Sequence, residues 1–446
     1  MTISGTLFVV GLCVALLMAL LKKPIVGLYA YVAVFYIHPP SRWWGASLPE
    51  LRWSLIAAGV TLLAIWIREP AEPARKSWLA TTPARIMIAF TVWFWLGTLW
   101  ALDVEQHYPM AVLITKYLLV YYMIYRLVDT PQKMTTFLLC HVAGCFFLGV
   151  IAYGAPGGDR LDGVGGPGID DSNTLGMHLG TGVVVAAIFT LRLKGWRRWL
   201  CVGSIVFALN AIVLTGSRGA GLALAAGGVA LAMLKPIAYK RLFYAYAVLG
   251  ILVIGYLASA QFWIRMKTVT VAVSDTPEEM DTSARSRIEM IKAQMEMAAL
   301  YPLGSGHRGS EVLSPRFLDK VYMTSAGVRS SHNSFMTIVV EQGIPGVILF
   351  FVMVRWTAST LRSLRRAASE PGRVEEAVNT AAIGAGLVVV MIGGMFADFS
   401  KCEVQIWLLA LLASMAERQR FSTPAAVGRL AANGAKPTAL PAGRNR

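Results

Sequence analysis

Three arginines have the residue type and the setting to bind phosphate. Arg218 lies in Leu214-Thr-Gly-Ser-Arg-Gly-Ala-Gly221, which interrupts a long apolar stretch, and Arg285 and Arg287 open an amphipathic segment of the largest polar region. A guanidinium stays charged at any relevant pH and offers paired donors to phosphate oxygens. The alternatives are a topological anchor in a tight turn for Arg218 and solvated surface residues for the other two.

His332 has the chemistry to accept a proton. It stands in Ser330-Ser-His-Asn-Ser-Phe335, at the start of an apolar run. A neutral histidine can take a proton from a hydroxyl near neutral pH. The same cluster has the composition of a helix cap, since Ser and Asn favour that position and Asn333 is next in sequence. The residues alone support the proton acceptor and the helix cap equally well.

Carboxylates occur near two further helix ends. Asp170, Asp171 and Asn173 lie in a glycine-rich loop before a helix, and the simplest interpretation is a cap formed by Asn173 or Ser172. A contact to a sugar or a metal is the alternative, although two carboxylates without further ligands make a weak metal site. Asp398 ends another helix, where it could orient a histidine or neutralise an arginine.

The elements that must position these residues are membrane helices. Of the 446 residues, 56% are hydrophobic and 15% are charged, whereas about a quarter of a soluble protein is charged. Apolar runs recur at close to the length of about 20 residues that crosses a bilayer core. We predict an all-α integral membrane protein with about 12 transmembrane helices and one large, partly helical periplasmic loop.

The runs divide the chain into four parts. We predict an N-terminal transmembrane bundle over 1–259, a large periplasmic loop over 260–331, C-terminal transmembrane helices over 332–417, and a disordered cytoplasmic tail over 418–446.

Within the large loop, the pattern from Ser283 to Leu300 predicts an amphipathic helix. Its predicted apolar stripe consists of Ile288, Ile291, Met295 and Ala298.

The distribution of basic residues predicts the orientation. One set of loops contains Arg68, Arg75, Lys76, Arg126, Lys133, Arg192, Lys194, Arg197, Arg198, Lys235, Lys240, Arg241, Arg355, Arg362, Arg365, Arg366 and Arg373. The opposite set is poorer and contains Arg42, Arg52, Arg160, Arg218 and Lys401. Cytoplasmic loops carry the excess of Lys and Arg, so the first set is predicted to be cytoplasmic. Arg218 then lies on the side where anchoring arginines are unusual, which favours a functional role.

The same distribution argues against other classes. The net charge of +16 comes from loops between apolar runs, which is a topology signal and not a nucleic-acid interface. The five cysteines form no CxxC and no pair in a polar loop, so neither a disulfide framework nor a zinc site is indicated. We predict no metal and no cofactor. The other histidines have no spacing that argues for catalysis: His38, His107, His141, His178 and His307.

Three motifs in order resemble the O-antigen ligase and polymerase family. The first is Thr215-Gly-Ser-Arg-Gly-Ala220; the second is Ser286-Arg-Ile-Glu-Met-Ile-Lys-Ala-Gln-Met-Glu-Met297 with Tyr301-Pro-Leu-Gly-Ser-Gly306; the third is His332-Asn-Ser-Phe with Glu341-Gln-Gly-Ile-Pro-Gly346. The resemblance is strongest over residues 170–350.

The chain departs from this pattern at two points. Ile291 stands where the family often has Trp, and the spacing from Pro302 to Gly306 is short. The choice between Arg285 and Arg287 is therefore open, and Arg287 is preferred.

The resemblance implies a glycosyltransferase at the periplasmic face of the bacterial inner membrane. Its donor would be an undecaprenyl-pyrophosphate-linked glycan, and its acceptor would be a sugar hydroxyl of lipid A-core. The reaction would take place among membrane lipids and would require neither ATP nor a metal. Arg218, Arg287 and Arg285 would bind the pyrophosphate and His332 would be the base. Asp171, Asn173, Asn333 and Asp398 would support them. No carboxylate nucleophile is evident, which predicts inversion at the anomeric carbon.

Other functions remain open at this stage. A polymerase that joins repeat units could use the same residues. Lys23-Pro-Ile-Val-Gly27 and His38-Pro resemble the N-terminus of a subgroup of O-glycosylation ligases, which leaves the acceptor open. A transporter of lipid-linked glycan is the alternative from a different class; against it, ionisable groups along the middle of the predicted helices are scarce.

Overall fold

The computed structural model describes residues 2–68, 77–155, 160–236, 239–257, 282–368, 370, 372–398 and 401–421. Within these ranges the regular elements are helices, with no strand, so the prediction of an all-α protein is confirmed. The α-helices are α1 (Ile3–Leu21), α2 (Ile25–Ile37), α3 (Trp53–Arg68), α4 (Thr82–Gly97), α5 (Val104–Leu127), α6 (Pro131–Tyr153), α7 (Ser172–Arg192), α8 (Gly195–Thr215), α9 (Arg218–Leu234), α10 (Lys240–Leu257), α11 (Thr282–Leu300), α12 (Gly309–Phe317), α13 (Ser334–Ala367), α14 (Val374–Gly393) and α15 (Val404–Phe421).

Among the described residues, seven helices are long and apolar enough to cross a membrane: α1, α5, α6, α7, α8, α13 and α14. Two more, α3 and α9, are apolar but shorter. A helical membrane architecture follows, because a helix satisfies all its backbone hydrogen bonds internally where no water is present. The figure of about 12 spanning helices stays a prediction, as do the domain boundaries and the periplasmic side of the large loop.

Helix α7 is the centre of the bundle. It is buried along nearly its whole length and packs against α6, α8, α9 and α14. Small residues such as Gly176 and Gly180 lie along it, and small residues let membrane helices approach closely. The first turn of α7 therefore holds a fixed position relative to the ends of α8 and α14.

The amphipathic helix of the large loop forms as predicted, as α11, but its apolar stripe was assigned to the wrong face. Ile288, Ile291 and Met295 are 41%, 37% and 61% exposed, whereas Ala298 is partly buried against the cluster described next. The buried face is Met290, Ala293 and Met297, which belong to a cluster with Leu313, Leu318 and Val340. The two faces are offset by one residue, about 100° around a helix. Both have helical spacing, so only the position of the partners decides between them.

Helix α13 is kinked at Gly343, where φ is +62°. Beyond the kink, Pro345 has no N–H to donate to the carbonyl of Glu341, four residues earlier. Backbone donors of the preceding loop replace the lost bonds: Ser305 N–H donates to Val340 O (2.9 Å) and Gly306 N–H to Glu341 O (3.1 Å). The regular helical hydrogen bonding is thus exchanged for a junction between the loop and the bundle.

We predict that Gly343→Ala destabilises the protein by about 1–3 kcal/mol, the cost of a non-glycine residue in a strained backbone region. A Cβ atom there would also lie 2.4 Å from the carbonyl oxygen of Pro302. Thermal unfolding in detergent measures the change. Gly228→Ala is the matched control, because its Cβ meets open space within α9. Equal melting temperatures for the two variants would contradict this account of the kink.

Candidate functional site

His332 adopts an unusual backbone conformation immediately before α13. Its φ is +50°, in the left-handed region that side chains other than glycine rarely occupy. The next residue, Asn333, is the N-cap, and its Oδ1 accepts a hydrogen bond from Met336 N–H (3.1 Å). The capping interpretation therefore applies to Asn333, and the imidazole of His332 is left outside the cap.

Two side-chain hydrogen bonds connect α11 to the segment that carries His332. Arg329 Nη2 donates to Ser286 Oγ (2.8 Å), and Gln294 Nε2 donates to Ser331 Oγ (2.9 Å). Arg287 follows Ser286 directly, and its guanidinium is close enough to lower the pKa of His332. Arg285, two residues earlier on α11, is exposed.

His332 is partly exposed, and charged groups of both signs lie near its imidazole. Burial lowers the pKa of its imidazole, and the guanidiniums of Arg287 and Arg329 lower that pKa further. The carboxylates of Asp171 and Asp398 oppose them by raising the pKa. The net effect is a pKa below the ordinary value, so the imidazole is neutral at pH 7 and can accept a proton.

Asp171 is the N-cap of α7, a position for which the sequence predicted Asn173 or Ser172. Its Oδ1 accepts from the backbone N–H groups of Asn173 (2.9 Å) and Thr174 (3.2 Å), and its Oδ2 accepts from the Thr174 hydroxyl. The cap shifts because Asp171 has the extended backbone that a capping residue needs, whereas Ser172 already starts the helix.

Asn173 helps to hold the turn that carries Arg218. Its Oδ1 accepts from Ser217 Oγ (2.9 Å) and from Arg160 Nη2 (3.1 Å), while Arg160 Nε donates to Thr215 O (3.1 Å). Ser217 is also the N-cap of α9, and Arg218 is the first residue of that helix. Hydrogen bonds therefore connect the loop before α7 and the first turn of α7 to the turn between α8 and α9.

The segment after α14 joins the starts of α13 and α9. The hydroxyl of Ser334 donates to Ala397 O (2.9 Å). On the other side, a Cβ atom at Gly219 would lie 2.5 Å from Cβ of Phe396, so this glycine allows α9 to approach. Asp398 follows directly, and the ends of α7, α9, α13 and α14 are thereby brought to one region of the molecule.

Sequence reasoning did not single out Arg329, although it stands three residues before His332 in the same polar segment. Its short distance in sequence from His332 is the signal that could have identified Arg329 as a candidate.

A link between His107 and His307 was also missed. His307 N–H donates to His107 Nδ1 (2.8 Å), and His307 Nδ1 lies 3.1 Å from Oε2 of Glu341, which also accepts from Ser310 Oγ (3.1 Å). These contacts join α5, α12 and α13. No spacing in the sequence relates the residues, because they lie as much as 200 positions apart.

A cavity of about 450 Å³ opens beside the first turn of α13. Its walls are mainly aromatic and aliphatic side chains from α4, α5, α13, α14 and α15, including Phe90, Phe94, Ile338, Phe350 and Ile406. Asn333, Ser334 and Glu341 supply polar groups to the lining. The arrangement can accept an apolar chain whose polar end lies near the site.

The fold and this site define a helical membrane protein with a charged site at the ends of its helices. Residues 203–351, about a third of the chain, match the model of the family described as O-Antigen ligase. This region carries the three motifs, so the resemblance stated from them is confirmed. The match contains Arg218, Arg287 and His332 and leaves Asp171 and Asp398 outside. No curated protein matches the chain.

We predict that the imidazole of His332 titrates below 6.5 and responds to its neighbours. Arg329→Gln removes a positive charge, so the pKa of His332 should rise, and Asp398→Asn removes a negative charge, so it should fall. The measurement is an NMR pH titration of protein labelled at histidine Cε1, with His332→Asn to assign the signal. An unchanged pKa in both variants would show that these charges do not act on His332.

Proposed function

We propose that the protein is a periplasmic-face glycosyltransferase that moves O-antigen glycan from undecaprenyl pyrophosphate to a sugar hydroxyl of lipid A-core. The observation that carries the proposal is a partly exposed His332 with the guanidiniums of Arg287 and Arg329 near its imidazole, where they lower its pKa. Such a site combines a base for a hydroxyl with fixed cations for a phosphate leaving group.

The cations would stabilise the departing pyrophosphate. Negative charge grows on the bridging oxygen as the bond to the anomeric carbon breaks, and preorganised guanidiniums oppose it without reorganisation. In this proposal Arg287 and Arg218 take this role and Arg329 adds to it. Arg285, two residues before Arg287 on α11, is exposed. Asn173 acts through Ser217, which caps the helix that Arg218 starts.

The reaction is a single displacement at the anomeric carbon. The acceptor oxygen forms a bond to that carbon, the bond to the pyrophosphate oxygen breaks, and the hydroxyl proton passes to His332. Asp398 then balances the charge of the imidazolium. Asp171 has both carboxylate oxygens engaged in its cap, so it is poorly placed to attack. Inversion of the anomeric configuration follows from this scheme.

The apolar cavity offers a place for the isoprenoid chain of the donor. Its lining is mainly hydrocarbon. Asn333 and Ser334, which follow His332 at the start of α13, also line the cavity and connect it to the candidate site. An isoprenoid chain in this cavity would leave its pyrophosphate near His332.

The location in the membrane is part of the proposal. The loops predicted to be cytoplasmic carry the excess of basic residues. The candidate site around His332 lies at the opposite ends of the helices and would therefore face the periplasm of a bacterial inner membrane. Nucleotide sugars and ATP are not supplied in that compartment, and the activated glycan would arrive on a lipid.

Purified protein in lipid vesicles tests this function. The substrates are undecaprenyl-pyrophosphate-linked glycan and lipid A-core, with chelator and without ATP. We expect glycan on lipid A-core, and a loss of about 10²–10⁴-fold in His332→Asn, the usual contribution of a general base. Asn is chosen because it tolerates the left-handed backbone at this position. Lys292→Ala, an exposed charge on α11 paired with Glu289, should keep activity.

The products separate the alternatives. Longer glycan on the carrier lipid would indicate a polymerase, and glycan on an added acceptor protein would indicate an O-glycosylation ligase. Movement of lipid-linked glycan across the vesicle membrane without transfer would indicate a transporter and would contradict an enzyme.

A further inference from the structure

A second polar cluster lies within the bundle, separate from the site at the helix ends. It consists of Tyr36 near the end of α2, His141 and Cys145 on α6, and His178 on α7, all of them buried. On α7, His178 is seven residues beyond Asp171, a rise of roughly 10 Å along the helix axis. None of these residues belongs to the motifs that define the family resemblance.

Three soft or borderline ligand atoms surround one point. The ligating atoms of His141, Cys145 and His178 all lie within 4.8 Å of one another. The hydroxyl oxygen of Tyr36 stands between them, 2.5 Å from His141 Nδ1, 2.8 Å from His178 Nε2 and 3.9 Å from Cys145 Sγ. Both imidazoles thus direct one nitrogen toward a shared centre that a thiol also faces.

The outer nitrogens are held by other partners. The hydroxyl of Thr181 donates its proton to His178 O (2.6 Å), so its oxygen accepts from His141 Nε2–H (3.0 Å). This assignment leaves the lone pair of His141 on the inner nitrogen. The Tyr36 hydroxyl then donates to His141 Nδ1, and its oxygen accepts from His178 Nε2–H. The outer Nδ1 of His178 lies 3.5 Å from Cys402 Sγ, a thiol that can donate to this nitrogen or accept from it. Such outer hydrogen bonds commonly orient histidines that ligate metals.

The packing makes room for the sulfur. A Cβ atom at Gly182 would lie 2.4 Å from Cys145 Sγ, so the glycine lets the thiol sit against α7.

From this geometry we infer that His141, His178 and Cys145 form a binding site for a single Cu⁺ ion, a function separate from glycan transfer. Imidazole and thiolate ligands suit copper and zinc. Charge selects between the two ions, because one thiolate with Cu⁺ is neutral whereas one thiolate with Zn²⁺ keeps a positive charge. A net charge buried among membrane helices is costly.

Binding requires no redox change. The S–H bond of Cys145 breaks, its proton leaves to solvent, and a Cu–S bond forms together with two Cu–N bonds. When the ion enters, Tyr36 gives up its hydrogen bonds with both imidazoles, so Tyr36 competes with the ion. The proton of His178 moves from Nε2 to Nδ1, where Cys402 Sγ accepts its hydrogen bond. The three ligands would then cross-link α6 to α7 through copper.

The test is anaerobic titration of the purified full chain in detergent with Cu⁺ buffered by bicinchoninate. We expect one Cu⁺ per chain, with one sulfur and two nitrogens in its X-ray absorption spectrum. Cys145→Ser should weaken binding by about tenfold or more, the scale of effects at metal sites. Cys140→Ser is the matched control on the same helix and should bind as wild type.

Tyr36→Phe keeps the test decisive if Cys145→Ser misfolds. It removes the competing hydroxyl, so Cu⁺ affinity should rise, whereas a purely hydrogen-bonded cluster would only lose stability. The inference is overturned if wild type retains no Cu⁺ against bicinchoninate, if Cys145→Ser binds as tightly as Cys140→Ser, or if Tyr36→Phe lowers the affinity.

Discussion

The backbone carbonyls freed at the kink of α13 impose the constraint on which the site depends. A buried carbonyl without a donor costs free energy, so the bonds lost at Gly343 and Pro345 must be replaced. The backbone N–H groups of Ser305 and Gly306 replace the lost donors, and Ile344 N–H donates to Pro302 O (2.9 Å) in the loop. This exchange joins the loop that follows α11 to the helix that follows His332. The second and third sequence motifs are therefore two halves of one junction.

That junction sets the distance between His332 and the arginines near it. With the loop fixed at α13, the bonds from Arg329 and Gln294 hold α11 against the segment that carries His332. The arginines on one side and the carboxylates on the other then act on one imidazole. Moving α11 by a single turn would remove Arg287 from this arrangement while leaving the bundle intact.

Much of the fold was predictable, because apolar runs and helical spacing are local properties of the sequence. The helix over Thr282–Leu300 formed as predicted. Its buried face did not, since Met290 and Ile291 lie on faces of similar character and only the partners in the cluster around Leu313 and Val340 select one.

The candidate site was predictable where a motif, or a polar residue at a helix end such as Asp171 or Asp398, singled out a position. Arg218, Arg287 and His332 belong to motifs, whereas Arg329 and the pair of His107 and His307 do not. The role of such residues comes from contacts between segments far apart in sequence, which spacing does not encode. The same reason applies to the cluster around Tyr36, whose members were each unremarkable as single residues in apolar runs.

In the proposed site Arg287, which the junction holds near His332, faces the phosphate, whereas the exposed Arg285 on the same helix does not. The most direct measurement is the dissociation constant of undecaprenyl pyrophosphate for protein in lipid nanodiscs, compared between Arg287→Ala and Arg285→Ala. Loss of a charge-assisted bidentate contact should weaken binding in Arg287→Ala by about tenfold or more, with Arg285→Ala within about twofold of wild type. Equal loss in both variants, or loss only in Arg285→Ala, would contradict the account.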